Sequence, residues 1–377
     1  MSFSEQDHAY MRRALALAEK VLYLTDPNPR VGCVIVKDGI VIGEGATQKV
    51  GGPHAEVMAI QDAKHRGYAN QLAGSTFYVT LEPCSHFGRT PPCADALVTH
   101  QVGRVVVASL DPNPLVGGKG IAKLREAGIQ VDYPLLAEEA LAINTGFISR
   151  MAAQRPWTWT KLACSLDGKV ALNNGVSQWI TAEPARRDGQ HWRARSSVVL
   201  TGIGTILKDN PLLNVRAIAT ERQPIRAVID GQFQIPEDAQ IFNGSPVWIF
   251  THTDNSAKRV RLQAKNVDVI VLPKKGEYID LAEVWQVLMQ RGINEVHVEA
   301  GPTLNGALLE AGLIDELLIY MAPKILGPGQ SLFNLPALSD LSAVKQFTWV
   351  EQLAVGQDLR LRLRAKERWN TLLQAIV

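Results

Sequence analysis

The stretch LEPCSHFGRTPPC, residues 81 to 93, holds two cysteines nine positions apart, with Ser85, His86, Gly88, Arg89 and three prolines crowded around them. Cys84 and Cys93 form a disulfide, two buried thiols or two parts of a metal site. The N-terminus, MSFSEQDHAYMRRALALAEK, lacks the uninterrupted apolar core of a signal peptide, and no apolar stretch approaches the length of a membrane span. A cytoplasmic protein is expected. With only four cysteines (Cys33, Cys84, Cys93, Cys164) in a reducing compartment, a structural disulfide is disfavoured. STFYVTLEP reads as a buried strand entering the stretch and PPCADALVTH as a helix leaving it, so both thiols stand at a strand-to-helix junction.

A catalytic zinc takes three protein ligands and leaves a fourth position open. The third candidate lies in GGPHAEVMAI, residues 51 to 60, where His54 starts a helix and Glu56 follows two positions later. That spacing at a helix N-terminus aims both side chains into one cleft. Zinc lowers the pKa of a bound water from ~15.7 toward ~7, and Glu56 can take its proton and pass it to a leaving amine. H-x-E followed by P-C and a further cysteine is the signature of the zinc-dependent nucleobase deaminases. The rival readings are inert buried thiols and a structural zinc. The latter wants a fourth protein ligand, for which only His86 in the connecting loop stands near. Cys33, in an apolar strand, reads as a small core residue.

At 377 residues the chain exceeds what one core usually fills, which predicts two domains. Residues 4 to 24 read as an amphipathic helix with Ser4 and Asp7 as its cap; DPNPRVG breaks it. CVIVKDGIVIGEG reads as a hairpin turning at Asp38-Gly39, and HAEVMAIQDAKHRG as a helix ending near Gly67. RVVVASLDP, KGIAKLREAG and IQVDYP continue an alternation that implies a layered α/β domain on a mostly parallel sheet. After LAEEALAINTGFISRMAAQRP the pattern restarts. WTWTKLACSLDGKVA leads a second α/β series with strands at SSVVLTGIGT, IRAVID, PVWIFT, VDVIVLP, EVHVEAG and LLIYMAPKILG. DLRLRLRAK alternates, as an edge or antiparallel strand does. The expected domains are 1–150 and 151–377.

One departure from the deaminase signature narrows the reading: eight residues, not two, separate the cysteines. HAE with EPCSHFGRTPPC, preceded by NPRVGCVIVKDG, resembles the bifunctional riboflavin-biosynthesis deaminase/reductases, and the resemblance spans the whole chain. It implies a cytidine-deaminase-like three-layer αβα domain followed by a dihydrofolate-reductase-like α/β domain that uses NADPH. Asn28 in DPNPRVG resembles the family's substrate-contacting asparagine, although Asn beside Pro is also a common turn former. Arg89 stands either against a substrate phosphate or in solvent.

In the second half, KLACSLDGKVALNNGVSQWIT, VLTGIGTILKDNPLLNVR and VEAGPTLNGALLEAGLIDEL resemble the family's reductase part. Glycines at strand-to-helix turns let main-chain N–H groups approach a phosphate. Gly202 and Gly204 lack the third glycine of the dinucleotide fingerprint, because Leu207 stands there, so an ordinary Rossmann site is not expected. The resemblance implies cofactor contacts at Ala163, Trp179, Thr205, Asp209 and, through its backbone, Gly231. It implies a phosphate-binding turn at Gly301, Pro302, Thr303, Leu304, Asn305, Gly306 and Ala307. Substrate contacts are implied at Ser177, Arg193, Leu213, Arg216 and Glu299, with Lys161 and Glu299 orienting the sugar. From residue type alone, Arg193 and Arg216 read as ordinary ion pairs. Of the tryptophans at 157, 159, 179 and 192, only Trp179 is read as a cofactor contact, the others as packing.

The expected function is zinc-dependent deamination of 2,5-diamino-6-(ribosylamino)pyrimidin-4-one 5′-phosphate, then NADPH-dependent reduction of its ribosyl group to ribityl. The expected partner is that small molecule, with no nucleic acid and no membrane, in a homo-oligomer. A nucleic-acid deaminase with an appended binding domain is the rival, disfavoured by a formal net charge of only +2. A non-catalytic zinc scaffold is disfavoured by Glu56, which a scaffold does not need.

Overall fold

The computed structural model describes residues 3–85, 92–114 and 116–377. Two units emerge: residues 1–154 together with 370–377, and residues 155–369. A single cut near residue 150 does not capture this return of the chain's end to the first unit. There, Leu110 N–H donates to Ile376 O at 2.9 Å.

The first unit opens with α1 (Glu5–Lys20), whose N-terminus carries a capping box. Asp7 N–H donates to Ser4 Oγ at 3.1 Å and Ser4 N–H to Asp7 Oδ2 at 2.9 Å. The helix stops at Lys20, short of the residue 24 that periodicity suggested. Beyond Lys20 the chain tightens into i→i+3 turns, with Val21 N–H on Ala18 O at 3.3 Å and Leu24 N–H on Val21 O at 3.0 Å, and Leu22 O accepts from Arg30 Nε at 3.0 Å. The hairpin β1 (Gly32–Lys37) and β2 (Ile40–Ala46) turns through Asp38 and Gly39, both at positive φ. There follow α2 (Ala55–His65), β3 (Thr76–Val79), α3 (Cys93–Thr99), β4 (Arg104–Val107), α4 (Lys119–Glu126), β5 (Gln130–Asp132) and α5 (Ala137–Ala153).

The sheet runs β2-β1-β3-β4-β5. Strands β3, β4 and β5 are parallel, but β1 is antiparallel to both neighbours, so the sheet is mixed rather than mostly parallel. A two-residue turn joins only antiparallel strands, and β1 then inserts beside β3. Val34, Val36, Tyr78 and Val106 share one core with Met11 and Leu15 of α1 and Ala140 and Ile143 of α5. On the opposite face α2 lies directly on β2. A Cβ at Gly43 would stand 2.4 Å from Ala59 O, and one at Gly45 2.4 Å from Ala59 N. Only glycine permits that approach, which sets the depth of the α2 N-terminus.

The second unit contains β6 (Trp157–Ser165), β7 (Lys169–Leu172), α6 (Glu183–Arg195), β8 (Val198–Gly202), α7 (Ile203–Asp209), β9 (Ile225–Ile229), β10 (Val247–Thr251), α8 (Ser256–Gln263) and β11 (Val267–Val271). After the short β12 (Lys274–Lys275) and β13 (Tyr278–Ile279) come α9 (Leu281–Gln290), β14 (Glu295–Val298), α10 (Pro302–Glu310), β15 (Glu316–Ala322), β16 (Gly329–Ser331), β17 (Thr348–Val355) and β18 (Asp358–Arg364). The main sheet runs β11-β10-β9-β8-β14-β6-β15-β18-β17. It is parallel as far as β15; β18 and β17 add antiparallel. β18 pairs antiparallel, as its alternation suggested, but β17 takes the edge. Strand β14 enters between β8 and β6 and stops opposite Thr160 while β6 runs on; the carboxyl ends of such parallel strands are the usual place for a ligand crevice.

Candidate functional site

His54 is the N-cap of α2 in extended conformation, and its side chain does not cap the helix. It turns instead to the thiols: Nδ1 lies 3.3 Å from Cys93 Sγ and 3.6 Å from Cys84 Sγ. The three donor atoms all fall within 4.8 Å of one another, and among the described residues this is the one His/Cys/Asp/Glu cluster that could hold a metal. Cys93 opens α3, and its N–H donates to Cys84 Sγ at 3.3 Å. Donation from Cys93, then from His54, holds the Cys84 thiol far below its usual range. Cys93 is pushed up in exchange, chiefly by Cys84 and by burial.

One imidazole and two thiols at this spacing are a donor set for zinc, with no fourth donor in the group among the described residues. Glu56, 3% exposed, is pushed up to about 7 by burial and then by Cys84. His86 and Arg89 lie outside the described residues. Asn28 is half-buried in a turn, where its N–H donates to Thr25 O at 2.9 Å and its O accepts from Thr25 Oγ1 at 3.1 Å. All four cysteines are free, and Cys33 is fully buried on β1.

Sequence reasoning passed over two acids beside this cluster. Glu82 is buried with its carboxylate on main-chain N–H groups. Asp111, buried, is pushed up to about 7 by burial, and its Oδ1 accepts from Asn113 N–H at 2.9 Å. Their signal was the sequence neighbourhood alone: Glu82 stands two residues before Cys84.

In the second unit a basic cluster forms where β14 ends beside the middle of β6. Arg193 of α6 clamps Glu299 through Nε and Nη2, and its Nη1 donates to Asn214 O at 2.8 Å. Burial raises the Glu299 carboxyl, but Arg193, His297 and Lys161 outweigh it and hold Glu299 far below the usual range. Lys161 is lowered, first by burial. Arg216 is exposed, on a loop pinned by its own N–H to Gln190 Oε1 at 2.9 Å and by the paired bonds of Val215 to Gln223. Four expected residues (Lys161, Arg193, Arg216, Glu299) thus share one electrostatic environment. His297, fully buried with Nε2 3.3 Å from Glu299 Oε1, was not foreseen.

The remaining expected residues are dispersed. Leu213 packs its side chain among Ile206 and Phe233 in the core at 3% exposure, so that side chain has no free surface to offer. Ser177 and Thr205 are half-buried and Asp209 is exposed. Ala163 sits within β6, paired with Tyr320. Trp179 is 62% exposed under the Arg186 guanidinium, 4.5 Å from its ring centre. Trp157, Trp159 and Trp192 are buried packing residues. Gly231 O accepts from Thr251 Oγ1, Thr253 Oγ1 and His252 N–H at 3.0–3.2 Å, so its carbonyl is already spoken for. Gly301 caps α10, with Pro302 at its first position and Thr303 exposed; a Cβ at Gly306 would lie 2.1 Å from Asn334 O. Leu304 lies against Gly202, and Ala307 is half-buried. Asn305 Nδ2 donates to Ala300 O at 3.0 Å, and its Oδ1, an acceptor, is buried with no partner among the described residues; a phosphate at this helix start would meet main-chain N–H groups instead. No helix of the described residues is long and apolar enough to cross a membrane.

The family model for the cytidine and deoxycytidylate deaminase zinc-binding region matches residues 4–109, and that for the RibD C-terminal domain matches residues 156–361. The riboflavin biosynthesis protein RibD of Escherichia coli (strain K12) is 44% identical over 371 residues, covering 95% of this chain and 99% of that protein. One solved structure, Acinetobacter baumannii RibD in form 1, is similar at a TM-score of 0.88 and 42% identity over 96% of this chain and 99% of that one. Another is the diaminohydroxyphosphoribosylaminopyrimidine deaminase/5-amino-6-(5-phosphoribosylamino)uracil reductase of Thermotoga maritima. It gives a TM-score of 0.84 at 34% identity over 95% and 98% of the two chains.

Proposed function

The chain belongs to the RibD family of bifunctional riboflavin-biosynthesis deaminase/reductases, and from that premise we propose which residues carry each half of its activity. Its fold is a cytidine-deaminase-like unit joined to a dihydrofolate-reductase-like one. In the first, His54, Cys84 and Cys93 hold zinc. Bound there, zinc supplies Lewis-acid chemistry that makes water a nucleophile near neutral pH. Glu56, enclosed beside the cluster and not part of it, takes the proton released by water and delivers it to the departing amine. At the ring carbon bearing the 2-amino group a C–O bond forms, the C–N bond breaks and ammonia leaves. Asn28 and Arg89 contact the substrate, 2,5-diamino-6-(ribosylamino)pyrimidin-4-one 5′-phosphate.

In the second unit Ala163, Trp179, Thr205, Asp209 and Gly231 would hold NADPH, and the turn from Gly301 to Ala307 would take its phosphates. Supplying hydride is the cofactor's chemistry; the chain's task is to position the two reactants. Arg193, Arg216, Ser177 and the backbone at Leu213 bind the deaminated substrate. Lys161 and Glu299 orient the ribosyl group for its reduction to ribityl. The substrate is a small molecule, the protein a cytoplasmic homo-oligomer, and nucleic acid plays no part. A net charge of +2 supports that last point, since strand binding calls for a strongly basic groove.

One observation carries the reading: three ligand atoms from two distant segments lie within 4.8 Å of one another, with an enclosed carboxyl two residues from one of them. The test supplies the purified protein with the diaminopyrimidine ribosyl phosphate and NADPH, and follows ammonia and reduced-cofactor absorbance together. One ammonia and one oxidised cofactor per substrate are expected. Cofactor oxidation that proceeds with no ammonia would contradict the order proposed.

A further inference from the structure

Glu82 is among the most enclosed acids of the first unit, at 3% exposure, yet no cation faces it in any ion pair among the described residues. Its partners are main-chain donors from a distant segment. Oε1 accepts from Gly120 N–H at 2.9 Å and Ile121 N–H at 3.2 Å. Oε2 accepts from Gly118 N–H at 3.0 Å and Asp111 N–H at 3.3 Å. Three of these four groups, all but Asp111 N–H, are the start of α4, whose N-cap, Gly118, has no side chain to offer. Glu82 caps that helix from outside, a carboxylate at the positive end of a helix.

The same residue stands two positions before Cys84, and the connection between them is stiff. Pro83 has fixed φ and no N–H. Its carbonyl sits so close to α4 that a Cβ on Gly120 would be 2.0 Å away. Upstream, Glu82 N–H donates to Ser109 O at 3.0 Å; downstream, Cys84 O accepts from Ala94 N–H at 3.1 Å. The turn Glu82-Pro83-Cys84 is therefore seated on α4 at one end and on α3 at the other.

We propose that Glu82 is a positioning residue of the metal centre: by docking its carboxylate on the first turn of α4 it sets the direction in which Cys84 presents its thiolate. The inference rests on the zinc reading above. Residues that orient metal ligands without touching the metal typically contribute 10–100-fold to affinity.

The test compares wild type with Glu82→Gln and Glu82→Asp in the full chain. Zinc affinity is read by competition with a chromophoric chelator. Thiolate geometry is read from the charge-transfer and d–d absorption of the cobalt-substituted protein. Zinc binding about 10–100-fold weaker in Glu82→Gln is expected, with a shifted cobalt spectrum and partial recovery in Glu82→Asp. NADPH oxidation with the deaminated substrate stays at the wild-type rate. Wild-type zinc affinity and cobalt spectrum in both variants would overturn the proposal, even if the metal-free proteins melted lower, because Glu82 would then serve the fold alone. Failure of the wild type itself to bind zinc would instead sink the reading of the centre.

Discussion

The metal centre draws its parts from two short runs of chain, 54–56 and 84–93, whereas the basic cluster of the second unit draws Lys161 from β6, Arg193 from α6, Arg216 from the loop after α7 and Glu299 from the end of β14. The two sites also differ in what holds them. At the metal centre main-chain N–H groups do the orienting: Cys93 N–H on Cys84 Sγ, Ala94 N–H on Cys84 O, and the start of α4 on Glu82. In the second unit side chains orient one another, with Arg193 forked on Glu299 and His297 behind it. At the metal centre, loss of Glu82 would misaim a ligand but strand no counter-ion. In the buried ion cluster, removing one charge strands its partner.

The contrast can be broken or sharpened by substitution. The largest effect is expected at Glu56. Glu56→Gln should lower the deamination rate by about 10²–10⁴-fold, the usual share of a positioned proton carrier. Zinc content and NADPH oxidation with the deaminated substrate should stay at wild-type values. Metal analysis with the two assays checks this, and loss of zinc along with activity would remove Glu56 from its assigned role.

Next comes Arg193→Ala, which leaves Glu299 and Lys161 in a half-emptied ion cluster. A stability loss of about 3 kcal/mol is expected, together with loss of the reductase step and an intact ammonia release. Urea unfolding and the two assays read it. Equal loss of both activities would show that the halves do not fail separately.

A smaller effect is expected of Gly45→Ala, whose new methyl would meet Ala59 N at 2.4 Å and Ala55 O at 2.6 Å. Overpacking of this kind costs about 1–3 kcal/mol, and lifting α2 from β2 should weaken zinc binding because His54 rides on that helix. Thermal melts with and without zinc test it.

A comparable effect on stability, with the smallest effect on either activity, is expected at Asp7, within the capping box of α1. Burial disfavours its charge, but Arg104, Ser4 and Tyr78 hold its carboxyl well below the usual carboxylate range. A depressed folded-state pKa gives stability that is present above the unfolded value, near ~3.9, and is lost as pH falls toward the folded one. Asp7→Asn should therefore cost about 1–3 kcal/mol at neutral pH, and its gap from wild type should narrow in acid. Denaturant melts across that range would show the narrowing; a gap independent of pH would assign the loss to packing alone.

The same contrast explains what was legible before any coordinates. Metal chemistry allows few residue types at few spacings, so His54, Glu56, Cys84 and Cys93 stood out as a set. Lysines, arginines and glutamates are everywhere on protein surfaces, and only family resemblance singled out Lys161, Arg193, Arg216 and Glu299. Glu82 and His297 escaped because their roles depend on partners 29 residues or more away, or on depth in a strand, which no local pattern marks. In the fold, the alternation of strands and helices was readable from periodicity. The antiparallel placement of β1 beside β3 was not, since apolar runs carry no direction. Nor was β17, whose side chains are mostly exposed and leave no alternating apolar face to read.

X-ray absorption at the zinc edge of the metal-loaded full chain addresses the first unit most directly. Two sulfur donors, one imidazole nitrogen and one further light atom from solvent are expected in the coordination shell. Four protein donors, or a shell without both sulfurs, would contradict it.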